Sequence, residues 1–159
     1  MVNKLKNIME HKIKVIIFDW GGTLYDLKTD TLFDGVPEIL FYLSNRYKLV
    51  LVSLAVSESS EDRKIKIQKS GVAKYFAQII VDDKDKDGMY EMVVTDFKIE
   101  PDEFVIVDNQ VVYGIKWGNS KGAETVWLKS GEFENVLPNV DTGEPSVIVR
   151  NLSELKELY

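Results

Sequence analysis

The stretch that decides the fold is Val15-Ile16-Ile17-Phe18-Asp19-Trp20-Gly21-Gly22-Thr23-Leu24, an apolar run that ends in a carboxylate. Uninterrupted apolar runs of this length are typical of strands buried on both faces, as in a parallel sheet. An aspartate directly after such a strand lies at the mouth of the sheet, and the two glycines allow a tight turn that brings backbone N–H groups toward an anion. The spacing also leaves open that Asp19 is only a turn former.

The same pattern recurs along the chain. Apolar runs predict strands at residues 13–18, 48–53, 78–81, 103–107, 124–128 and 146–149, and helical spacing predicts helices at residues 36–47, 59–70, 88–97, 111–121 and 151–159. This alternation predicts an α/β, doubly wound, Rossmann-like parallel sheet of five to six strands with helices on both faces. In such sheets ligands bind beyond the carboxyl ends of the strands.

Length and composition narrow the classes of protein. With 159 residues, 45% of them hydrophobic and 29% charged, the chain is expected to form one globular domain over residues 1–159, with residues 1–12 as an N-terminal tail. The net charge of −6 argues against nonspecific nucleic-acid binding. The absence of cysteine excludes thiolate chemistry. His11 is the only histidine, so the count excludes a histidine triad or a zinc site, and we expect this residue at the surface or in the tail.

The apolar runs are too short to span a bilayer, and the first residues show no secretory signal pattern. We therefore expect no membrane association and a cytoplasmic location.

The opening motif resembles that of the haloacid dehalogenase (HAD) superfamily, in which four apolar residues precede D-x-D-x-T-L. Three later segments are similar to the family's motifs in the same order. They are Leu49-Val50-Leu51-Val52-Ser53, Lys84, and Phe104-Val105-Ile106-Val107-Asp108-Asn109, and a glycine-then-strand segment follows at residues 122–128. The resemblance runs from about residue 13 to residue 128 at four ordered points, and it implies Mg²⁺-dependent phosphoryl transfer through an aspartyl-phosphate.

The resemblance also implies roles for single residues. Asp19 would be the nucleophile and a magnesium ligand, and Ser53 would donate a hydrogen bond to the phosphoryl oxygens. Lys84 would neutralise the charge shared by the nucleophile and the phosphate, with Lys86 as the alternative carrier of that role. A solvated loop around Lys84 is the alternative interpretation of the segment Asp83-Lys84-Asp85-Lys86-Asp87-Gly88.

The remaining implied roles belong to the loop after the first strand and to the fourth motif. Gly22 and Thr23 would bind the phosphate group of the substrate, and Thr23 would also stabilise the loop that carries Asp19. The metal ligands would be Asp19, the backbone carbonyl of Gly21, and the side chains of Asp108 and Asn109.

The sequence departs from the family pattern in ways that weaken catalysis. Gly21 replaces the second aspartate, so the metal-binding carbonyl remains but the general acid and base is lost. Asn109 stands where the main metal-binding aspartate is usual and Gly114 where a second acidic residue is common, so metal affinity should fall. Asp26 is a candidate substitute acid, and Asp108 a candidate substitute ligand.

No cap domain is expected, because only 34 positions separate Asp19 from Ser53 and 31 separate Ser53 from Lys84. By fold-level analogy, capless members act on macromolecules or borrow a neighbouring subunit as a lid, so a homodimer is plausible. The leading hypothesis is a slow Mg²⁺-dependent phosphatase, a phosphoric monoester hydrolase, acting on a small or macromolecular phosphorylated substrate. The alternative is a catalytically inactive HAD-fold protein that binds a phosphorylated ligand or a protein partner.

Overall fold

The computed structural model describes residues 12–159, so His11 and most of the predicted tail lie outside the described residues. The described elements are, in chain order, β1 (Val15–Phe18), β2 (Tyr25–Asp26), β3 (Thr31–Leu32), α1 (Val36–Ser44), β4 (Lys48–Leu54), α2 (Ser60–Lys69), β5 (Phe76–Asp82), α3 (Lys86–Phe97), β6 (Phe104–Asp108), a π-helix (Val111–Ile115), α4 (Lys116–Lys121), β7 (Glu124–Leu128), β8 (Val147–Val149) and α5 (Leu155–Leu158).

Six of these strands form one sheet in the order β5-β4-β1-β6-β7-β8, and all neighbouring pairs are parallel. The order reverses at β1, because the chain first adds strands on one side of β1 and then on the other. The predicted doubly wound α/β sheet is therefore confirmed, with six strands. The switch in strand order lies at the end of β1, where such sheets bind ligands.

Helices cover both faces because the side chains of a strand alternate between its two sides. Ile16 and Phe18 of β1 pack into one core cluster with α1 and α5, whereas Val15 and Ile17 pack into a second cluster with α3 and α4. All four side chains are at most 1% exposed. β1 is thus fixed from both faces and from both neighbouring strands, and its carboxyl end is a rigid platform.

The sequence did not predict the antiparallel hairpin of β2 and β3, which pairs Tyr25 with Leu32 and Asp26 with Thr31. This hairpin and α1 form the connection between the end of β1 and the start of β4. The predicted helix at 111–121 is in fact a π-helix that continues into α4. Within the described range, no helix has the length and apolarity needed to cross a membrane.

Candidate functional site

The parallel register brings the candidate residues to one edge of the sheet. Phe18, the last residue of β1, lies opposite Leu51 of β4 and Val107 of β6. The backbone N–H of Asp19 continues the ladder by donating to the carbonyl oxygen of Val107, at 3.0 Å. Asp19 therefore stands level with Asp108, the last residue of β6, and the two carboxylates lie at the same edge.

Lys86 lies between these two carboxylates. Its Nζ donates to Oδ1 of Asp19 at 2.8 Å and to Oδ2 of Asp108 at 3.0 Å, and it lies 4.9 Å from the ring centre of Tyr113. The side chains of Lys86, Asp19 and Asp108 are 4%, 8% and 0% exposed. Such a group is held by charge pairing in a largely buried environment, and its formal charge is −1 when both carboxylates are ionised.

Burial and pairing shift the pKa values of this group. Burial raises the pKa of Asp19 above its ordinary value, and the nearby Asp108 adds to the rise, although Lys86 and Thr23 oppose it. For Lys86, burial alone would lower the pKa, but the carboxylates of Asp108 and Asp19 hold it well above its ordinary value. Lys86 is therefore a permanent positive charge beside Asp19.

Thr23 fixes the loop that carries Asp19. Its hydroxyl donates to Oδ2 of Asp19 at 2.9 Å and lies 3.3 Å from Oδ1 of Asn109, while it accepts the backbone N–H of Asn109 at 3.2 Å. Trp127 anchors the other side, because its Nε1 donates to the carbonyl oxygen of Asn109 at 3.0 Å. The structure thus brings Asp19, Thr23 and Asn109 together.

Gly22 takes part in the same loop through its backbone. Its φ is +79°, and a Cβ built on it would lie 2.3 Å from Nδ2 of Asn109. Its N–H donates to the carbonyl oxygen of Tyr25 at 2.9 Å, which closes the turn. Only glycine satisfies both the backbone conformation and the close approach.

Gly22→Ala is expected to destabilise the protein more than Gly35→Ala. Both positions have φ +79°, which costs a non-glycine residue about 1–2 kcal/mol. Only Gly22 is close to a neighbour, whereas a Cβ at Gly35 would meet nothing within 4 Å. Urea unfolding of both variants measures the difference, and equal losses would show that the contact with Asn109 does not constrain the loop.

The preference for Lys84 over Lys86 was wrong. The predicted helix began at Gly88, but α3 begins at Lys86 because Asp85 caps it, with the side chain of Asp85 accepting the N–H of Gly88 at 2.9 Å. Lys86 in the first turn points to the sheet edge and is buried. Lys84 lies in the preceding loop and is exposed, with its N–H donating to Asp82.

Ser53, the last residue of the predicted strand, lies within β4 and does not line the cavity over Asp19. It is fully buried, and its Oγ accepts a hydrogen bond from Nη1 of Arg63 at 2.7 Å. Arg63, on α2, is 2% exposed, pairs through Nε with Glu58 at 2.5 Å, and is part of the cavity wall. Ser53 therefore does not donate directly to a phosphoryl group in the cavity, as was predicted, because it lies behind Arg63. Sequence reasoning missed Arg63, because a charged residue in a polar helix carries no signal of burial.

Asp108 also differs from its predicted role as a metal ligand. Its Oδ1 accepts the N–H of Gln110 at 2.9 Å, and its Oδ2 accepts Lys86 and the N–H of Gly114, the latter at 2.9 Å. The hydroxyl of Tyr90 lies 3.4 Å from the same oxygen. Asp108 is fully buried and is not part of the cavity wall, so it is a counter-ion for Lys86 and an anchor for the π-helix.

The cavity has a volume of about 900 Å³ and lies over Asp19. Its wall includes Asp19, Gly21, Gly22, Thr23, Arg63, Lys86, Asn109 and Tyr113, together with residues of the hairpin and of the segment after β7. A Cβ built on Gly21 would lie 2.8 Å from Cδ1 of Leu27, a hairpin residue that also faces the cavity. A side chain at position 21 would therefore meet the tip of Leu27, which is 39% exposed.

The donors that face the cavity fit Mg²⁺ only as a weak site. Asp19, the backbone of Gly21 and the side chain of Asn109 line it, and they carry one negative charge between them. Among residues 12–159 there is no group of three or more acidic, histidine or cysteine side chains that could hold a metal ion. Mg²⁺ binds through one or two carboxylates when waters and substrate phosphates complete its shell. A phosphoryl group in the cavity would complete the site.

Comparisons with known proteins agree with this description at the level of the fold. No protein-family model matches the sequence, and no curated protein matches it significantly. YfnB from Bacillus subtilis, assigned to the HAD hydrolases and determined bound to magnesium, aligns with a TM-score of 0.77 at 14% identity over 92% of this chain and 98% of that chain.

Two further solved structures match over similar lengths. The haloacid dehalogenase-like protein SP0104 from Streptococcus pneumoniae gives a TM-score of 0.77 at 12% identity, over 92% of this chain and 98% of that one. The L-2-haloacid dehalogenase from Xanthobacter autotrophicus with covalently bound chloropropionic acid gives 0.74 at 11% identity, over the same shares. The chain therefore has the fold of the haloacid dehalogenase superfamily, as its motifs predicted.

Proposed function

We propose that the protein is a slow, Mg²⁺-dependent phosphatase of the HAD type that works through an aspartyl-phosphate on Asp19. The observation that carries this proposal is the contact of 2.8 Å between Oδ1 of Asp19 and Nζ of Lys86 at the carboxyl end of the central strand, beneath a cavity. A carboxylate that attacks a phosphoryl anion needs positive charge at short range. Lys86 supplies a fixed positive charge there.

In the proposed reaction, an oxygen of Asp19 bonds to the phosphorus of a bound phosphorylated substrate while the bond from phosphorus to the leaving oxygen breaks, and that oxygen departs with the electron pair. Thr23 holds the other carboxylate oxygen and so orients the nucleophile. Lys86 and Arg63 bring positive charge to the wall of the cavity and offset the charge of the phosphoryl oxygens. Water then releases phosphate from Asp19.

Magnesium would be held by Asp19, the carbonyl of Gly21 and the side-chain oxygen of Asn109. When bound, it would neutralise negative charge shared by the nucleophile and the phosphoryl oxygens. The structure of YfnB, which has the same fold and is bound to magnesium, supports the choice of this cation. The neutral Asn109 supports a low affinity for the metal in the absence of phosphate.

The cavity volume supports a phosphorylated small molecule as substrate, since about 300–1,000 Å³ is usual for small-molecule sites. A macromolecular substrate that presents one phosphorylated side chain would use the same pocket. We also propose that a second subunit covers the cavity as a lid in a homodimer.

An inactive phosphate-binding protein is the second candidate, and Leu27 favours it. The tip of Leu27 lies where a side chain at position 21 would begin, and both oxygens of Asp108 accept hydrogen bonds from protein donors. Such a site could bind a phosphorylated ligand through Lys86 and Arg63 without turning it over.

An assay with p-nitrophenyl phosphate and Mg²⁺ separates the two candidates when the wild type is compared with Asp19→Asn. The phosphatase predicts release of nitrophenolate that is lost in the variant and lost when the metal is chelated. The binding protein predicts the same background in both proteins, together with thermal stabilisation by inorganic phosphate. Activity that survives in Asp19→Asn would refute a nucleophilic role for Asp19.

A further inference from the structure

Position 21 has no acidic side chain, and the tip of an apolar side chain lies where a side chain there would begin. A Cβ at Gly21 would lie 2.8 Å from Cδ1 and 3.4 Å from Cγ of Leu27. Leu27 lies in the turn of the β2–β3 hairpin, which packs over the loop that carries Asp19. A leucine at this position neither donates a proton to a leaving oxygen nor accepts one from water.

The other acidic groups of the cavity wall belong to its rim. Asp34 and Glu132 are exposed, and Asp26 is half-buried with its Oδ1 accepting the backbone N–H of Lys28 at 2.9 Å. Lys86 and Arg63, which are buried, pair with carboxylates, and neither an ammonium held between two carboxylates nor a guanidinium is a useful proton donor. Asp108 lies beside Asp19 but is paired with Lys86 and is not part of the cavity wall. Within residues 12–159, the wall thus provides positive charge for a phosphoryl group, and its acidic side chains other than Asp19 lie at the rim.

We propose that Asp19 accepts a phosphoryl group only from donors whose leaving oxygen departs as a stable anion, acyl phosphates above all, and that the resulting aspartyl-phosphate is long-lived. This inference rests on the proposed aspartyl-phosphate chemistry and specifies its substrate class. Alkyl phosphates are excluded because an alkoxide needs a proton as it leaves. Acid–base assistance of this kind is usually a factor of about 10²–10⁴ in rate.

The missing acid–base group affects both half-reactions, and so it limits the class of donor and lengthens the life of the aspartyl-phosphate. First, an oxygen of Asp19 bonds to phosphorus while the bond from phosphorus to the leaving oxygen breaks, and its electron pair departs with a carboxylate anion. Second, a water oxygen bonds to phosphorus and the bond to Asp19 breaks, with the electron pair returning to the carboxylate. One water proton stays on the phosphate and one passes to solvent. The second step is slow because, within residues 12–159, the acidic side chains of the cavity wall other than Asp19 lie at its rim instead of beside the phosphorus, where they would remove that proton.

The first test is the intact mass of the protein after it is mixed with acetyl phosphate and Mg²⁺. We expect a mass increase of one HPO₃ group in the wild type, none in Asp19→Asn, and an adduct that persists after the donor is removed. With glycerol phosphate as the donor we expect no adduct and no release of phosphate. Asp26→Asn tests whether the half-buried Asp26 acts as the acid. We expect this variant to keep the preference for acetyl phosphate, and a changed preference would reveal Asp26 as the acid.

The second test restores the acid. Gly21→Asp combined with Leu27→Ala makes room for a carboxyl group, and Gly21→Asn combined with Leu27→Ala is the matched control without a titratable proton. Relative to that control, the acidic variant is expected to lower the preference for acetyl phosphate over glycerol phosphate by about 10²–10⁴-fold and to shorten the life of the adduct.

The outcomes distinguish the two levels of the proposal. If no donor forms an adduct or is hydrolysed, the proposed phosphatase function fails. If glycerol phosphate is hydrolysed by the wild type as fast as acetyl phosphate, the function stands and this inference is overturned. The comparison of donors uses the wild type alone, so it holds even where the double variants do not fold.

Discussion

Replacing Lys86 with methionine is expected to lower the free energy of unfolding by about 3–5 kcal/mol. Methionine is similar in length but carries no charge, so Asp19 and Asp108 would be left as two buried carboxylates without a cation between them. Two like charges in a dry site repel each other and lack solvation. Urea unfolding monitored by the fluorescence of the tryptophans measures the loss.

Lys84→Met is the matched control because the same change is made two residues earlier at an exposed position. Its free energy of unfolding is expected to change by no more than about 0.5 kcal/mol. Equal effects at the two lysines, or no effect at Lys86, would contradict the placement of Lys86 between the carboxylates.

Asp108→Asn is expected to destabilise the protein to a similar extent, and its loss is not expected to add fully to that of Lys86→Met. The variant removes one counter-ion of Lys86. It also replaces a carboxylate, whose two oxygens accept the backbone N–H groups of Gln110 and Gly114, by an amide that has only one oxygen. In the double variant the charge of Lys86 is absent as well, so the loss should be smaller than the sum of the single losses.

The double-mutant cycle of Lys86→Met and Asp108→Asn measures this coupling. Residues in one ionic network usually couple by about 0.5–3 kcal/mol. A coupling in this range is expected, and strictly additive losses would show that Asp108 stabilises the protein without acting on Lys86.

The fold was predictable because its signals are strong and local. The buried strand before Asp19 and the strand before Asn109 are uninterrupted apolar runs, and alternating strands and helices permit few topologies. The hairpin of β2 and β3 was missed because each strand has only two residues, and such a short run has no detectable period.

The site was predicted in position but not in detail. The order of the motifs placed Asp19, Thr23 and Asn109 at one sheet edge, where the structure also has them. The lysine was misassigned because a shift of two residues in a helix start decides which side chain faces the sheet. Leu27 and Arg63 could not be found from the sequence. Each acts through a contact with a residue outside its own turn or helix, and neither belongs to a recognisable motif.

The most direct test of the central claim is a crystal structure of the protein with Mg²⁺ and beryllium fluoride. The account predicts a beryllium fluoride group bonded to an oxygen of Asp19, with Nζ of Lys86 within hydrogen-bond distance of a fluoride and the cation beside Asn109. An intact contact between Asp19 and Lys86, with the anion bound elsewhere or not at all, would contradict the assignment of Asp19 as the nucleophile.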